Sequence, residues 1–211
     1  MNAIAIDDRA AGRLEQCVSA GGVAIFPTDT VYGVCCDPDS DTAVARLYEL
    51  KGRPAQRPAA VMFFSLQAAL DSLEELHPDE RGVLERILPG GVTLLLPNRR
   101  ARFLPACAGD PSTIGVRVPH LEGALAPLAA VNVAVMQSSA NLSGEPDARV
   151  LADVPTELLD GADLVLDGGA LVGRPSTVID LRDYATRGQW RVLREGALAE
   201  SDVAQLIGSV G

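Results

Sequence analysis

The feature that most narrows the folds open to this chain is a repeated alternation of short apolar runs with amphipathic stretches of about ten residues. Val23 to Phe26 is apolar throughout and is closed by Pro27, which reads as a short buried strand. Before it, Ala10, Leu14, Cys17 and Val18 recur at helical spacing between Asp8 and Ala20, and Gly21-Gly22 ends the pattern as a glycine C-terminus does. After it come a polar turn, a second strand from Val31 to Cys35, and a helix from Asp41 to Leu50 capped by Ser40 or Asp39. The same reading gives strands over Ala59–Phe64, Val92–Leu96, Thr113–Val118, Val133–Met136, Leu164–Leu166, Val178–Leu181 and Arg191–Leu193. It gives helices over Leu66–Leu76, Pro78–Leu88, Leu121–Ala130 and Ala199–Ile207. Elements interleaved in this way make an α/β fold. The 211 residues suit one core, and no internal repeat divides them, so residues 1–211 are expected to form a single domain. The Gly-, Pro- and Arg-rich stretch from Asn98 to Ser112 is expected to be a mobile flap.

Composition excludes several classes of function. The longest apolar runs, such as Val92 to Pro97 and Val131 to Met136, fall far short of the ~20 residues that cross a bilayer. No membrane helix is therefore expected. Met1 to Asp8 holds two acids and nothing like a basic n-region followed by an apolar core, so no secretory signal is read there. Cys17, Cys35, Cys36 and Cys107 show no C-x-x-C spacing, and adjacent Cys35 and Cys36 must point to opposite faces of a strand. Reduced thiols in a cytoplasmic protein are the expectation. A net charge of −10 opposes a broad nucleic-acid surface, because such affinity rests on many Lys and Arg phosphate contacts.

Five polar clusters follow or interrupt the apolar runs: Thr28 to Thr30, Lys51 to Arg53, Thr113 to Arg117, Ser138 to Asn141, and Arg174 to Thr177. Ligands of open α/β sheets gather at strand ends, and these clusters offer hydroxyls, amides and cations rather than histidine or metal-ligand pairs. That inventory suits an anionic ligand. Lys51 and Arg53 supply a compact charge and a rigid fork, both suited to phosphate. Read alone, three of these clusters also have ordinary explanations: a solvated turn for Lys51 to Arg53, a strand-to-loop turn for Ser138 to Asn141, and Asp29 satisfying turn amides. His77 and His120 lie in connections as exposed caps, leaving a serine or cysteine nucleophile without an obvious base.

Taken in order, Pro27 to Gly33 (PTDTVYG), Lys51 to Pro54 (KGRP), Pro89 to Thr93 (PGGVT), Thr113 to Pro119 (TIGVRVP), Ser138 to Gly144 (SSANLSG), Pro175 to Asp180 (PSTVID) and Val192 to Gly196 (VLREG) closely resemble the YrdC-like family of threonylcarbamoyl-adenylate synthases. The resemblance covers roughly residues 10 to 208. It implies a YrdC-like twisted open mixed β-sheet flanked by helices, with a concave, positively lined cavity. It also implies the substrates ATP, bicarbonate and L-threonine. The threonine amine captures bicarbonate as a carbamate, which attacks the α-phosphorus and expels pyrophosphate, with Mg2+ carried by ATP and no metal held by the protein alone. The product serves tRNA modification.

By the same resemblance, Lys51, Arg53, Ser139 and Asn141 hold the nucleotide phosphates, with Lys51 and Arg53 as the catalytic pair. Thr113 and Arg194 make further ATP contacts, and Arg57 joins them from a place where an amide is common. Thr30, Arg117 and Ser176 bind threonine, with Arg117 suited to its carboxylate. Met62 stands where longer relatives carry a histidine, and Gly91 replaces a frequent proline. The chain resembles the short form of the family, so a downstream threonylcarbamoyl transferase complex is expected to take the product, with weak tRNA contact at most. The alternatives are an RNA-binding module of the same fold or a paralogous carbamoyl- or nucleotidyl-transfer enzyme with another substrate.

Overall fold

A computed structural model describes residues 3–52, 59–107 and 109–208; Arg53 and Arg57 therefore lie outside the described residues. Among the described residues, ten strands form one sheet: β1 (Ile4–Ala5), β2 (Ala24–Pro27), β3 (Tyr32–Cys36), β4 (Ala60–Met62), β5 (Val92–Pro97), β6 (Thr113–Arg117), β7 (Val135–Ser139), β8 (Leu164–Asp167), β9 (Thr177–Asp180) and β10 (Arg191–Arg194). Their order across the sheet is β1-β8-β2-β3-β7-β4-β6-β5-β9-β10. The pairs β1–β8, β2–β8, β4–β6 and β5–β9 are parallel and the others antiparallel, so the sheet is mixed, as the resemblance implies.

Strand alternation divides the core in two. Val92, Leu94 and Leu96 of β5, Ile114 and Val116 of β6, Val61 of β4, Val34 of β3 and Ile179 of β9 face one side. There they pack on α2 (Asp41–Leu50), α3 (Leu66–Ser72), α4 (Pro78–Ile87) and α8 (Glu200–Gly208), which contribute Leu47, Leu70, Leu84 and Val203. Each such side chain, fully buried, contributes on the order of 1.5–3 kcal/mol against an exposed reference. On the other face, α1 (Ala10–Ser19) and a 3-10 run (Gly123–Ala130) cover only one half, burying Ala24, Phe26, Cys35, Met62, Val135 and Leu166 against Leu14 and Leu128. Cys35 and Cys36 fall in opposite cores, as their adjacency requires, and all four cysteines are free thiols. Burial pushes the Cys36 thiol up to about 12, so it is inert at neutral pH.

Local chemistry sets the helix ends. Ser40 accepts a hydrogen bond from the Ala43 amide at 3.2 Å and starts α2, so Ser40 rather than Asp39 is the cap. His77 caps α4, where Pro78 occupies the first turn and Glu80 reaches back to the His77 amide. The stretch Leu121–Ala130 is not an α-helix. Pro127 sits inside it and lacks an amide hydrogen, and the segment winds as a 3-10 run instead. The strand expected over Val133–Met136 begins later and carries Gln137, Ser138 and Ser139 within it, because they pair in register with Cys35, Val34 and Gly33 of β3.

The segment Asn98–Ser112 is anchored to the core at several of its described residues. Arg99 clasps the fully buried Glu80 through two hydrogen bonds of 2.6 and 2.7 Å. Asn98 bonds both main-chain groups of Arg102, and Phe103, Ala106 and Cys107 enter the larger core, the last two from the short α5 (Leu104–Cys107). β1, α6 (Thr156–Gly161) and α7 (Tyr184–Arg187) carry too few residues for a period to show in sequence. No helix among the described residues is long and apolar enough to cross a membrane.

Candidate active site

Where α1 and the 3-10 run stop, the sheet face is open, and a cavity of about 340 Å3 stands on it. Its floor is the pleat opposite the larger core: Ala60 of β4, Thr113, Gly115 and Arg117 of β6, Thr93 and Leu95 of β5, and Val178 of β9. Small side chains at Ala60 and Gly115 leave room that a larger residue would fill. The volume lies within the range of small-ligand sites. Three guanidinium groups (Arg117, Arg182, Arg194) and two carboxylates (Asp110, Asp147) line it, so the expected cationic character is present as a modest excess.

Arg117 ends β6 with its side chain 3% exposed and pairs with Asp29, itself 10% exposed, at 2.6 Å. The same Nη2 donates to Thr30 Oγ1 at 2.6 Å and, more weakly, to Thr28 Oγ1 at 3.3 Å. Among the described residues, Arg117 Nε is buried without a hydrogen-bond partner. An orphaned buried donor costs about 1–3 kcal/mol, a cost that a ligand acceptor removes. The second carboxylate oxygen of Asp29 accepts the His120 amide at 3.0 Å, so Asp29 binds the chain around β6, and it is Thr28 Oγ1 that accepts the amides of the turn.

Across the floor, Ser176 Oγ and Thr93 Oγ1 stand 2.9 Å apart, and Arg194 donates to the Ser176 carbonyl at 2.8 Å. Gly196 makes that approach possible, since a β-carbon there would fall 2.1 Å from the Pro175 carbonyl oxygen. Gly91 is similarly confined: a β-carbon would lie 2.6 Å from the Ala197 Cβ and 3.3 Å from Thr30 Cγ2. Desolvation lowers the Arg194 pKa and the Arg117 charge lowers it further, while Asp147 acts in the opposite sense.

The third group lies at the end of α2. Lys51 is 2% exposed, and its Nζ donates to the Ser139 carbonyl, to the Asn141 carbonyl at 2.7 Å and to Asn141 Oδ1 at 3.3 Å. Ser139 Oγ donates to Asn141 Oδ1 at 2.6 Å. Three residues 88 or more positions apart in sequence, or adjacent across one turn, thus form a single polar knot beside the cavity.

Of the residues singled out from sequence, Thr113, Arg117, Ser139, Ser176 and Arg194 line the cavity. Thr30 lies behind Arg117, and Lys51 and Asn141 lie behind Ser139. Met62 is fully buried in the smaller core and is not among the cavity residues. His77 and His120 are exposed, and neither lines the cavity. Gln137, Asp110, Asp147 and Arg182 line it without having been singled out. Asp110 carried a readable signal, since D-x-S-T is a side-chain-to-backbone turn; its carboxylate accepts from Ser112 and from Thr113 Oγ1 at 2.6 Å.

Arg182 is held at the cavity wall by Asp180, which also meets Arg191 of the neighbouring strand at 3.0 Å. Hydrogen bonds from Arg182 foremost, and from Arg191, hold the Asp180 carboxyl well below its ordinary value. A carboxyl depressed in the folded state stabilises fully above its unfolded pKa of about 3.9, and that contribution fades as pH falls toward the folded value. Urea midpoints should therefore drop on acidification below about pH 4. Asp180→Asn should lower the midpoint at neutral pH and flatten that acid slope.

An α/β sheet with one half-face left open thus carries a polar cavity of small-ligand size, with a buried arginine, paired hydroxyls and a buried lysine gathered at it. Comparison with known proteins sharpens this. Residues 16–196 match the model of the Sua5/YciO/YrdC family, described as telomere recombination, and the chain belongs to that family. A threonylcarbamoyl-AMP synthase of Xanthomonas euvesicatoria pv. vesicatoria is 36% identical over 179 residues, covering 83% of this chain and 92% of the relative. Another, from Pyrococcus abyssi, is 32% identical over 196 residues, covering 92% of this chain but 56% of the relative. The chain thus spans about half the length of the longer relatives. The crystal structure of P. abyssi Sua5 complexed with L-threonine superposes with a TM-score of 0.84 at 28% identity, over 99% of this chain and 61% of that one.

Proposed function

We propose that this chain is a threonylcarbamoyl-AMP synthase, acting on ATP, bicarbonate and L-threonine. The observation that carries the proposal is Arg117, a guanidinium buried at the cavity floor with an orphaned Nε, across from the hydroxyl pair Ser176 and Thr93 and beside the Lys51–Ser139–Asn141 knot. The similarity to named synthases and to a threonine complex supports the same reading.

In this account Arg117 binds the amino-acid carboxylate, while Thr30 and Ser176 take its remaining polar groups. The threonine amine attacks the bicarbonate carbon, water leaves, and a carbamate forms. A carbamate oxygen then attacks the α-phosphorus; the bond to the β-phosphate breaks and pyrophosphate departs. Lys51, Ser139, Asn141, Thr113 and Arg194 hold the nucleotide, with Arg53 and Arg57 assigned beside them by family resemblance. Mg2+ enters as the companion of the triphosphate and belongs to the substrate.

No protein nucleophile is needed, because the attacking atom belongs to the substrate. The chain supplies alignment and charge stabilisation, which together can lower a barrier by ~7–11 kcal/mol. The labile product then passes to a separate threonylcarbamoyl transferase serving tRNA, and direct tRNA contact by this acidic chain is weak and salt-sensitive. The test is pyrophosphate release from ATP and bicarbonate with and without L-threonine. A threonine-dependent burst is expected, and equal release in both mixtures would refute the activity.

A further inference from the structure

Asp29 touches the reaction only through Arg117, yet its geometry is more demanding than a surface pair needs. One oxygen meets Arg117 Nη2 at 2.6 Å and the other meets the His120 amide at 3.0 Å, so one carboxylate ties the β2–β3 turn to the chain leaving β6. The guanidinium it grips is buried, and a long flexible side chain carrying charge would otherwise lose orientation or be repelled by neighbouring Arg194.

The surrounding hydroxyls have a fixed polarity, set from the Val31 carbonyl. Thr28 Oγ1 donates to the Val31 carbonyl at 2.7 Å, using its single hydrogen. The 3.0 Å contact between Thr28 Oγ1 and Thr30 Oγ1 must then take its hydrogen from Thr30. Thr30 Oγ1 accepts from Arg117 at 2.6 Å, so its hydrogen and one lone pair are committed, and only acceptor capacity remains for a ligand. The result is a two-sided site, a guanidinium for an anion and a hydroxyl oxygen for a donor, with the guanidinium held by Asp29 and the hydroxyl direction set by the turn itself.

We infer that Asp29 is the positioning residue for amino-acid recognition: it fixes the Arg117 fork beside the Thr30 acceptor, so that the site selects a free α-carboxylate. This rests on the functional reading above. Partial neutralisation of Arg117 by Asp29 works against carboxylate binding, but pre-organising a buried fork outweighs it, because an unpaired guanidinium would not hold its place.

The test is calorimetric titration of L-threonine, L-threoninamide and a non-hydrolysable ATP analogue into the wild-type protein, Asp29→Asn and Asp29→Glu. Wild type is expected to prefer threonine over threoninamide. Asp29→Asn should weaken threonine by about ten-fold or more, leave threoninamide and the nucleotide within about two-fold, and so erase most of the preference. Asp29→Glu keeps the charge one carbon farther out and should show a smaller threonine-selective loss, about three-fold, which answers the question even if the asparagine variant does not fold. Threonine binding that is unchanged or tighter in the variants, or lost in parallel with nucleotide, overturns the inference while leaving the synthase reading intact. Wild-type indifference between threonine and threoninamide would overturn the inference together with the assignment of Arg117 to the carboxylate, while the synthase reading is decided by threonine-dependent pyrophosphate release.

Discussion

Arg117→Ala is expected to remove measurable threonine-dependent turnover and to cost about 3–5 kcal/mol of stability, because it strands a largely buried Asp29 carboxylate without its cation. Two consequences follow from one side chain since it serves both the packing of the open sheet face and the ligand. Arg117→Lys separates them. It keeps the charge for Asp29 but replaces a planar fork with a point, so stability should largely return while the threonine KM rises about 10- to 100-fold. Urea unfolding together with KM and kcat measurements distinguishes the two variants. A lysine variant with an ordinary KM would show that the fork is not what reads the carboxylate.

Lys51→Met should have the second largest effect, lowering threonine-dependent pyrophosphate release about 100- to 1,000-fold with threonine binding changed less than about two-fold. The ammonium is buried where α2 ends and is directed at the carbonyls of Ser139 and Asn141, so it shapes the strand end that is proposed to meet phosphate. Methionine keeps the length of the stem and removes every donor. Part of the loss is local, since acceptors that lose a buried partner cost about 1–3 kcal/mol. Single-turnover measurements of pyrophosphate release beside a threonine titration separate chemistry from binding. An equal loss in both would place Lys51 in general scaffolding rather than at the nucleotide.

Much of this architecture is legible in the sequence because hydrophobic period is a direct image of burial. The apolar run from Val92 to Leu96 marks a buried strand, and the pleat then puts Val92, Leu94 and Leu96 on the helices and Thr93 and Leu95 on the cavity. Other elements leave no such image. β1 is only two residues long, and its pairing with β8 is set by tertiary contact. β7 continues through Gln137, Ser138 and Ser139 because β3 supplies a partner for their backbone, which polar side chains cannot announce.

The site follows the same logic. Thr30, Arg117, Ser176 and Ser139 stand out because small polar or cationic residues interrupt apolar runs, whereas Arg194 is marked only by the family resemblance. Asp147 and Arg182 reach the cavity through loops, where no periodicity marks their direction. The pairing of Asp29 with Arg117, separated by 88 positions, depends on β6 lying across the sheet from the β2–β3 turn, an arrangement fixed only by the full strand order.

A crystal structure of the protein with L-threonine and a non-hydrolysable ATP analogue tests the account most directly. The amino-acid carboxylate should sit on Arg117 with its donor groups toward Thr30 and Ser176, and the triphosphate should lie against Lys51, Ser139, Asn141 and Arg194. Well-ordered ligands bound away from the open sheet face, or a cavity that stays empty at saturating concentrations of both, would contradict it.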